Sequence, residues 1–327
     1  MTSSAKLALP DAPRLILARP DRVGDVIIAT ACIQAVREKF PESRLYFLAQ
    51  EFGRPLLENH PRLAGFLTAP IDADAIVHLH PDKSLYRAAN NIATRIGYGQ
   101  RFISHYLTHS VPDNRQAGIK HEAAYNFDLL RFLGVTQPDR LTPDIHLPES
   151  ARATLQTKVP WPLESTSFAV LNPTAHSHIA RWPAGHFVAL ARELPRPIVI
   201  IGADARDTIE VPGALNLAGK TDLGELGWLL KHARVLVTRD TGPSHLAAAV
   251  GCPVVVIFGR TTPLYGPTRW RPLTDKAIIV TKPVPRKRWE SNESLWRRSF
   301  EAISVEEVQE AVEKLNPVAE RGVLKVF

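Results

Sequence analysis

Short apolar runs and amphipathic stretches alternate along this chain, as they do in parallel α/β proteins. The apolar run 14–19 predicts a buried strand, and the stretch 26–40 predicts an amphipathic helix. The alternation stops at 138–162, which is rich in proline and polar residues, and it resumes with the apolar run 168–172. We therefore predict two α/β domains joined by a linker. The predicted domains comprise residues 1–150 and 151–327.

The same patterns predict further elements and one long loop. Apolar runs predict strands at 44–50, 75–80, 92–98 and 195–202. Helices are predicted at 120–134, where a glycine ends the pattern, and at 222–232. The polar stretch 100–120 is typical of a solvated loop.

The stretch 235–259, VLVTRDTGPSHLAAAVGCPVVVIFG, predicts a strand, a tight turn, a short helix and a second strand. Pro243 opens the helix and Gly251 follows its end, two positions at which a missing amide or a left-handed backbone costs little. The turn before Pro243 therefore directs free backbone amides outward. These amides and the positive end of the helix dipole favour a phosphate or diphosphate at this turn.

Side chains near this turn could contribute to the same site. Thr241 and Ser244 offer hydroxyl donors beside Gly242, and His245 lies on the first helical turn. His245 would bond a phosphate or brace Asp240. In the simpler alternative, the stretch is an ordinary βαβ crossover in which Asp240 only caps the helix.

A second candidate site follows the first predicted strand. Asp25 lies between the end of that strand and the start of a helix, at the edge where open α/β sheets bind ligands. Gly24 would let a substrate approach the backbone, and Arg22 could contact an anion. Alternatively, Asp25 is a helix N-cap and Gly24 a loop glycine.

Composition narrows the class of protein. A chain of 327 residues with 45% hydrophobic and 22% charged residues is typical of a soluble globular protein with two domains. The net charge of +7 indicates an acidic partner, namely nucleic acid, an anionic membrane face or a phosphorylated substrate. Because no nucleic-acid module is recognisable, we rank nucleic acid last.

Other features of the sequence concern location and cofactors. No apolar stretch reaches bilayer-spanning length and no signal-peptide pattern is seen, so we expect a cytoplasmic protein. Cys32 and Cys252 lie far apart in apolar contexts, which favours reduced thiols over a disulfide. The sequence contains neither a Cys and His metal motif nor a G-x-G-x-x-G after the first strand, which disfavours a dinucleotide dehydrogenase.

Several motifs resemble one family. The run DTGPSHLAAA resembles the D-[TS]-G-x-x-H-[LVI]-A-A-A signature of the bacterial heptosyltransferases, glycosyltransferase family nine. The N-terminal RPDRVGDVIIAT resembles that family's R-x-x-x-[LI]-G-D-[VI] segment. In the second half, NPTA, RWP, GAD and LAGKT follow the family's order. The resemblance extends over residues 14–265.

The resemblance implies a GT-B fold, in which two Rossmann-like βαβ domains face a central cleft. The first would bind the acceptor and the second the nucleotide sugar. The implied reaction is inverting transfer of heptose from ADP-L-glycero-D-manno-heptose to the lipopolysaccharide inner core, without a metal or a cofactor other than the ADP-sugar. Alternatives are a transferase of the same fold that uses another nucleotide sugar, and a non-catalytic sugar-nucleotide-binding protein.

The resemblance also implies residue roles. Asp25 would be the catalytic base, and the amides of 241–244 with Arg181 would stabilise the leaving diphosphate. The expected donor-binding residues are Thr174, Arg181, Asp204, Thr221, Asp240, Thr241, Gly242, Ser244 and His245. The expected acceptor-binding residues are Arg22, Gly24 and Arg101. For Thr174 and Asp204 a structural role in a turn is an alternative.

Two departures weaken the resemblance, and one further segment is notable. The family's lysine before Arg-Trp-Pro is Ala180 here, and the run 299–303 lacks the family's usual cysteine. The segment 282–298 combines six cations with Trp289 and Trp296. It is either a solvated surface or a peripheral contact with the inner face of the cytoplasmic membrane, beside an acidic glycolipid acceptor.

Overall fold

The computed structural model describes residues 7, 9–100, 102–174, 181–205 and 208–315. The chain divides into two compact units. The first unit extends to Thr154 and also contains Asp222–Trp228 and Thr262–Leu273, and the second contains the remaining residues. The sequence had assigned both later segments to the second domain. They belong with the first because Trp228 Nε1 donates to the Pro148 carbonyl oxygen, 2.9 Å away, and Arg269 binds Glu122.

The first unit contains one parallel six-stranded sheet with the order β3-β2-β1-β4-β5-β6. Its strands are β1 Arg14–Ala18, β2 Arg44–Leu48, β3 Gly65–Leu67, β4 Ala75–His78, β5 Thr94–Gly99 and β6 His109–Pro112. The predicted strands at 14–19, 44–50, 75–80 and 92–98 are confirmed. The prediction that 100–120 is only a loop is wrong, because β6 pairs with β5. β6 was missed because it is an edge strand that buries Val111 alone.

The second unit contains another parallel six-stranded sheet, with the order β12-β11-β10-β7-β8-β9. Its strands are β7 Ala169–Asn172, β8 Ile198–Ile200, β9 Leu215–Asn216, β10 Val235–Arg239, β11 Val254–Phe258 and β12 Ala277–Thr281. β10 occupies the place that β1 has in the first sheet, and β7 the place of β4. The strands of the two sheets therefore have the same arrangement in space. The half that contains β1 comes first along the chain in the first sheet, whereas the corresponding half, which contains β10, comes last in the second.

Twelve α-helices accompany the sheets in the described residues. They are α1 Val23–Ala29, α2 Ala31–Lys39, α3 Arg54–Leu57, α4 Lys83–Ala88, α5 Glu122–Leu130, α6 Glu149–Lys158, α7 Ala184–Glu193, α8 Leu223–His232, α9 Gly242–Val250, α10 Pro267–Trp270, α11 Asn292–Glu301 and α12 Val305–Leu315. The helix predicted at 26–40 is divided at Thr30, whose hydroxyl donates to the Ile27 carbonyl oxygen. The stretch 138–162 is not a continuous linker, because it contains α6.

The strands are buried because helices cover both faces of a parallel sheet, which explains their continuous apolar runs. In the second unit, Trp182 is fully buried in a core that includes Phe187, Val237 and Phe300. Its indole nitrogen donates to the Ile303 carbonyl oxygen at 2.9 Å. Within the described chain, no helix combines the length and hydrophobicity that crossing a bilayer requires. Cys32 and Cys252 are both buried free thiols, as predicted.

Candidate active site

The first candidate site is centred on a buried arginine. Arg19 directly follows β1 and is 1% exposed. Its Nη2 donates to Asp25 Oδ1 at 2.6 Å and its Nε to Asp21 Oδ1 at 2.8 Å. Its Nη1 donates to Glu122 Oε1 at 3.0 Å and to the Leu79 carbonyl oxygen at 2.8 Å. One guanidinium thus holds three carboxylates at the carboxyl edge of the first sheet.

Glu122 links this edge to distant parts of the chain. Its carboxylate is fully buried and accepts hydrogen bonds from Arg269 Nε at 2.7 Å and from Arg115 Nη1 at 3.3 Å. Burial alone would raise the pKa of Glu122, but the charges of Arg19, Arg269 and Arg115 outweigh it and keep this pKa below its usual value. Glu122 therefore stays ionised and holds the Arg19 guanidinium in position through Nη1. We call Arg19, Asp21, Asp25, Glu122, Arg115 and Arg269 the Asp25 cluster.

Asp25 differs electrostatically from the other acids of the cluster. It lies in the first turn of α1, and Arg22, not Asp25, is the N-cap residue. Burial raises the pKa of Asp25, Arg19 lowers it in part, and the negative charges of Asp21 and Glu122 raise it further, so that it ends above the usual value. A carboxylate with a raised pKa is a stronger base than an exposed one.

The predicted acceptor-binding residues surround Asp25 only in part. Gly24 is buried at the start of α1, and Arg22 is exposed beside it. Arg101 lies outside the described residues. The structure therefore brings two of the three together with Asp25.

Sequence reasoning missed the supports of Asp25. The end of β1 is the edge where ligand-binding residues gather, so the position of Arg19 could have identified it as a candidate. Glu122 and Arg269 could not have been found in this way, because they lie 103 and 147 residues from their partners, Arg19 and Glu122. Their contacts follow from tertiary structure alone.

The second candidate site is the turn between β10 and α9. Thr241 is the N-cap residue of α9, with an extended backbone and no side-chain cap, and Pro243 occupies the first turn. Asp240 is therefore not the helix cap that the simpler alternative assumed. Gly251 ends the helix with a φ of 77°, as predicted. The first amides of α9 consequently have no side-chain cap.

The side chains next to this turn form a hydrogen-bond network. Asn172 Nδ2 donates to Thr238 Oγ1 at 3.0 Å and to Thr241 Oγ1 at 3.2 Å. Thr174 Oγ1 donates to Asn172 Oδ1 at 2.9 Å. Ser244 is fully buried, and its hydroxyl donates to the Thr241 carbonyl oxygen at 2.8 Å. These bonds fix the backbone of the turn and hold its shape.

Three other predicted donor-binding side chains lie around the same edge of the second sheet. His245 is buried, and its Nε2 lies 3.8 Å from Asp240 Oδ1. Arg181 is half-buried and immediately precedes Trp182, whose burial fixes this part of the backbone. Asp204 is half-buried and follows Gly202, where a Cβ would lie 2.4 Å from the Thr174 methyl carbon.

Thr221 is half-buried after the turn at Gly219, whose φ is 70°. The Gly219 amide donates to the Gly202 carbonyl oxygen at 2.8 Å. This bond brings the predicted nucleotide-binding motif LAGKT next to the end of β8. Glycine suits this position for two reasons, because its backbone is left-handed and because a Cβ would lie 2.9 Å from the Ala205 backbone nitrogen.

The last residue of β10, Arg239, was not predicted from the sequence. Its side chain is 2% exposed, and its guanidinium carbon lies 4.9 Å from the centre of the Phe300 ring. Its Nε and Nη1 atoms are buried without a hydrogen-bond partner, and no ion pair to it occurs in the described part of the chain. Burial, and then the nearby charges of Arg260 and Arg181, lower the pKa of Arg239 to about 10 against the opposing effect of Asp240. Arg239 is thus still a cation at neutral pH, and its neighbours are mostly cations.

Three comparisons relate the chain to known proteins. A model described as Glycosyltransferase family 9 (heptosyltransferase) matches residues 85–296, well over half of the chain. Lipooligosaccharide heptosyltransferase 2 of Haemophilus ducreyi is 25% identical over 310 residues, which cover 82% of this chain and 88% of that protein. The structure of Escherichia coli ADP-heptose lipopolysaccharide heptosyltransferase II aligns with a TM-score of 0.76 at 20% identity, covering 92% of this chain and 98% of that one. This likeness confirms the GT-B class of the fold.

A further structural neighbour bears on metals. TibC, described as a bacterial iron-containing dodecameric glycosyltransferase from enterotoxigenic E. coli H10407, aligns with a TM-score of 0.61 at 18% identity, covering 95% of this chain and 78% of that one. In this chain, the described residues contain no group of three or more His, Cys, Asp or Glu side chains arranged to hold a metal ion.

Proposed function

Because the chain belongs to glycosyltransferase family 9, we propose that it transfers heptose from ADP-L-glycero-D-manno-heptose to the inner core of lipopolysaccharide, with inversion at the anomeric carbon. The family match over residues 85–296 carries this proposal. In the proposed division of labour, the first unit binds the acceptor and the second unit binds the nucleotide sugar. The two candidate sites supply the two chemical functions that such a transfer requires.

Asp25 is the proposed base. It accepts the proton of the acceptor hydroxyl while the hydroxyl oxygen attacks the anomeric carbon, and the bond from that carbon to the diphosphate breaks. The raised pKa of Asp25 and its bond to Arg19 Nη2 support this assignment, because they combine basicity with a fixed orientation. Arg22, Gly24 and Arg101 are the proposed acceptor contacts.

The turn before α9 is the proposed diphosphate site. The departing ADP carries the negative charge that develops during the transfer, and the backbone amides of Thr241 and Gly242, at the uncapped start of α9, provide donors for it. Arg181 adds a cation, and we add Arg239 because its buried Nε and Nη1 atoms have no hydrogen-bond partner in the described chain. The other proposed donor contacts are Thr174, Asp204, Thr221, Asp240 and His245. The scheme needs no metal ion.

The acceptor implied by this function is an acidic glycolipid, which places the enzyme at the inner face of the cytoplasmic membrane. The protein would work there as a peripheral enzyme that takes its donor from the cytoplasm. Nucleic acid is not among the proposed partners.

A thermal-shift panel of ADP-, UDP-, GDP- and CMP-sugars tests the donor assignment. A ligand that binds only the folded state stabilises it by about 2.7 kcal/mol at 100 times its Kd. We expect ADP-heptose alone to raise the melting temperature, and transfer to a heptose-acceptor lipopolysaccharide to follow. A response to another nucleotide would indicate another donor sugar, and ADP-heptose binding without transfer would indicate a non-catalytic binding protein.

A further inference from the structure

Residues 285–289 form an exposed turn between β12 and α11. All five side chains are exposed, and Trp289 is 90% exposed, which is unusual for the largest apolar side chain. We call Arg286, Lys287, Arg288 and Trp289 the basic tip. The basic tip thus combines three cations with one exposed indole.

The tip is held in place by Glu290. The Glu290 carboxylate accepts hydrogen bonds from the Lys287 amide at 3.0 Å and from Arg298 Nη2 at 2.7 Å. Arg286 Nη1 donates to the Glu290 carbonyl oxygen at 2.9 Å. The hydrogen bonds from Arg298 and from the Lys287 amide lower the pKa of Glu290 to about 2, so these bonds persist at neutral pH. The turn is therefore fixed by its own contacts before it meets a partner.

Trp289 has a backbone conformation that side chains rarely adopt. Its φ is 66°, in the left-handed region that favours glycine. The Glu290 contacts maintain this conformation, and the result is an indole directed outward beside Arg288, whose guanidinium carbon lies 5.4 Å from the ring centre. This strained backbone conformation is not offset by side-chain packing, because the indole remains exposed. Strained and exposed aromatic residues occur where a surface meets a partner.

The charges of the tip are only partly neutralised. Glu290 pairs with Arg298, and Lys282 pairs with Glu307. Lys287 and Arg288 make no ion pair in the described part of the chain, so at least two cations face solvent with the indole. Trp296, by contrast, is half-buried and packs against the core of the second unit, beneath Arg260. Of the two tryptophans in this segment, Trp289 is therefore much the more exposed.

We infer that the basic tip docks the protein on an anionic phospholipid bilayer. Tryptophan prefers the headgroup zone of a bilayer, and lysine and arginine are attracted to anionic headgroups. A protruding turn fits a flat membrane surface, whereas proteins that bind single-stranded nucleic acids track the strand along a charged groove. Binding of the tip to a bilayer does not depend on the proposed transfer reaction, because it follows from the exposed cations and the indole themselves.

Liposome sedimentation tests the inference without any sugar substrate. We expect the wild-type protein to bind vesicles of phosphatidylglycerol and phosphatidylcholine, and to bind vesicles of phosphatidylcholine alone much more weakly. Each cation near an anionic surface contributes about fivefold to partitioning, so K287Q/R288Q should lower binding about 25-fold. Trp289→Ala should lower it severalfold with the charge unchanged.

A charge-matched variant provides the control. R44Q/R192Q removes the same two charges from exposed residues elsewhere and should bind vesicles nearly as well as the wild type. Salt should weaken wild-type binding, because the Debye length falls from about 10 Å at 0.1 M to about 3 Å at 1 M. Melting temperatures and ADP affinity should be equal in all variants, which separates this test from the proposed transfer function.

Three results would overturn the inference. If K287Q/R288Q and Trp289→Ala sediment like the wild type, the tip is only a solvated surface. If R44Q/R192Q loses as much binding as K287Q/R288Q, the attraction is a property of net charge and not of the tip. A wild-type protein that binds short single-stranded RNA but no anionic vesicles would assign the tip to nucleic acid instead.

Discussion

The two sheets carry a buried arginine at the same topological place, and the surroundings of these arginines are opposite. Arg19 follows β1 and Arg239 ends β10, the third strand in the order of each sheet. Arg19 binds three carboxylates, which hold its pKa above the usual value although burial alone would lower it. Arg239 has no carboxylate in ion-pair contact in the described chain, and its pKa is lowered to about 10 by burial first and then by its neighbours.

A buried charge is stable only when it is paired, so the comparison separates two roles. The charge of Arg19 is satisfied within the chain, which makes it a structural support for Asp25. The charge of Arg239 is not satisfied within the described residues, so a bound anion would stabilise it. The buried arginine at the first sheet edge is therefore paired without substrate. The buried arginine at the second edge would be paired by the diphosphate that we propose to bind there.

Asp25→Ala tests the first edge most directly. We expect transfer to fall about 10²- to 10⁴-fold, the usual contribution of a general base, with the Kd for ADP nearly unchanged. Steady-state kinetics and calorimetric ADP titration measure the two effects, and Asp25→Asn controls for the loss of side-chain volume. Turnover close to that of the wild type would exclude Asp25 as the base.

Arg19→Met should destabilise the free protein by about 3–5 kcal/mol, because it leaves Asp25 and Glu122 without their shared cation. Denaturant unfolding measures this loss, and Arg19→Lys, which keeps the charge, should recover part of it. A stability equal to that of the wild type would mean that the cluster does not depend on Arg19.

The same substitution at the equivalent place, Arg239→Met, should have the opposite effect. Without ligand the free energy of unfolding should stay the same or rise by about 1 kcal/mol, because no carboxylate loses a partner. The Kd for ADP should rise about 10- to 100-fold, the effect of one charge-assisted bond. AMP, which lacks the second phosphate, serves as the comparison ligand and should lose less. If ADP binds the variant as tightly as the wild type, Arg239 does not contact the diphosphate.

The pH profile should report the environment of Asp25. Because its pKa is raised in the folded protein, kcat/KM should fall as the pH drops through a value above the ordinary aspartate pKa of about 3.9. Asp21→Asn removes a negative charge that raises this pKa, so the acid limb should move to lower pH. A variant that loses activity at every pH without moving the limb would give Asp21 a purely structural role.

The smallest expected effect is that of chelation. Helix amides and arginines stabilise the leaving diphosphate in the proposed scheme, so EDTA should leave the transfer rate unchanged. The assay needs dialysed enzyme, with re-addition of Mg²⁺ and of Fe²⁺ as separate arms. Activity that depends on either ion would contradict the metal-free scheme.

The sequence predicted the parts of the structure whose signal is local. Most strands were found because parallel strands are continuous apolar runs, and the β10 to α9 turn because proline and glycine mark both ends of its helix. The edge strand β6 and helix α6 were missed, because polar edge strands and a helix inside a proline-rich stretch carry weak patterns. Arg239 was missed because a basic residue at a strand end does not reveal burial.

The late segment Thr262–Leu273 has a consequence for synthesis of the protein. Arg269 leaves the ribosome 147 residues after its partner Glu122. At about 5–20 residues per second, this delay is roughly 7–30 s. Until then the cluster that supports Asp25 lacks one of its three arginines, although all six strands of the first sheet have been made. Release of a chain that ends before this segment would leave the buried Glu122 without that cation, so the proposed catalytic base acquires its full support only after most of the second sheet has been translated.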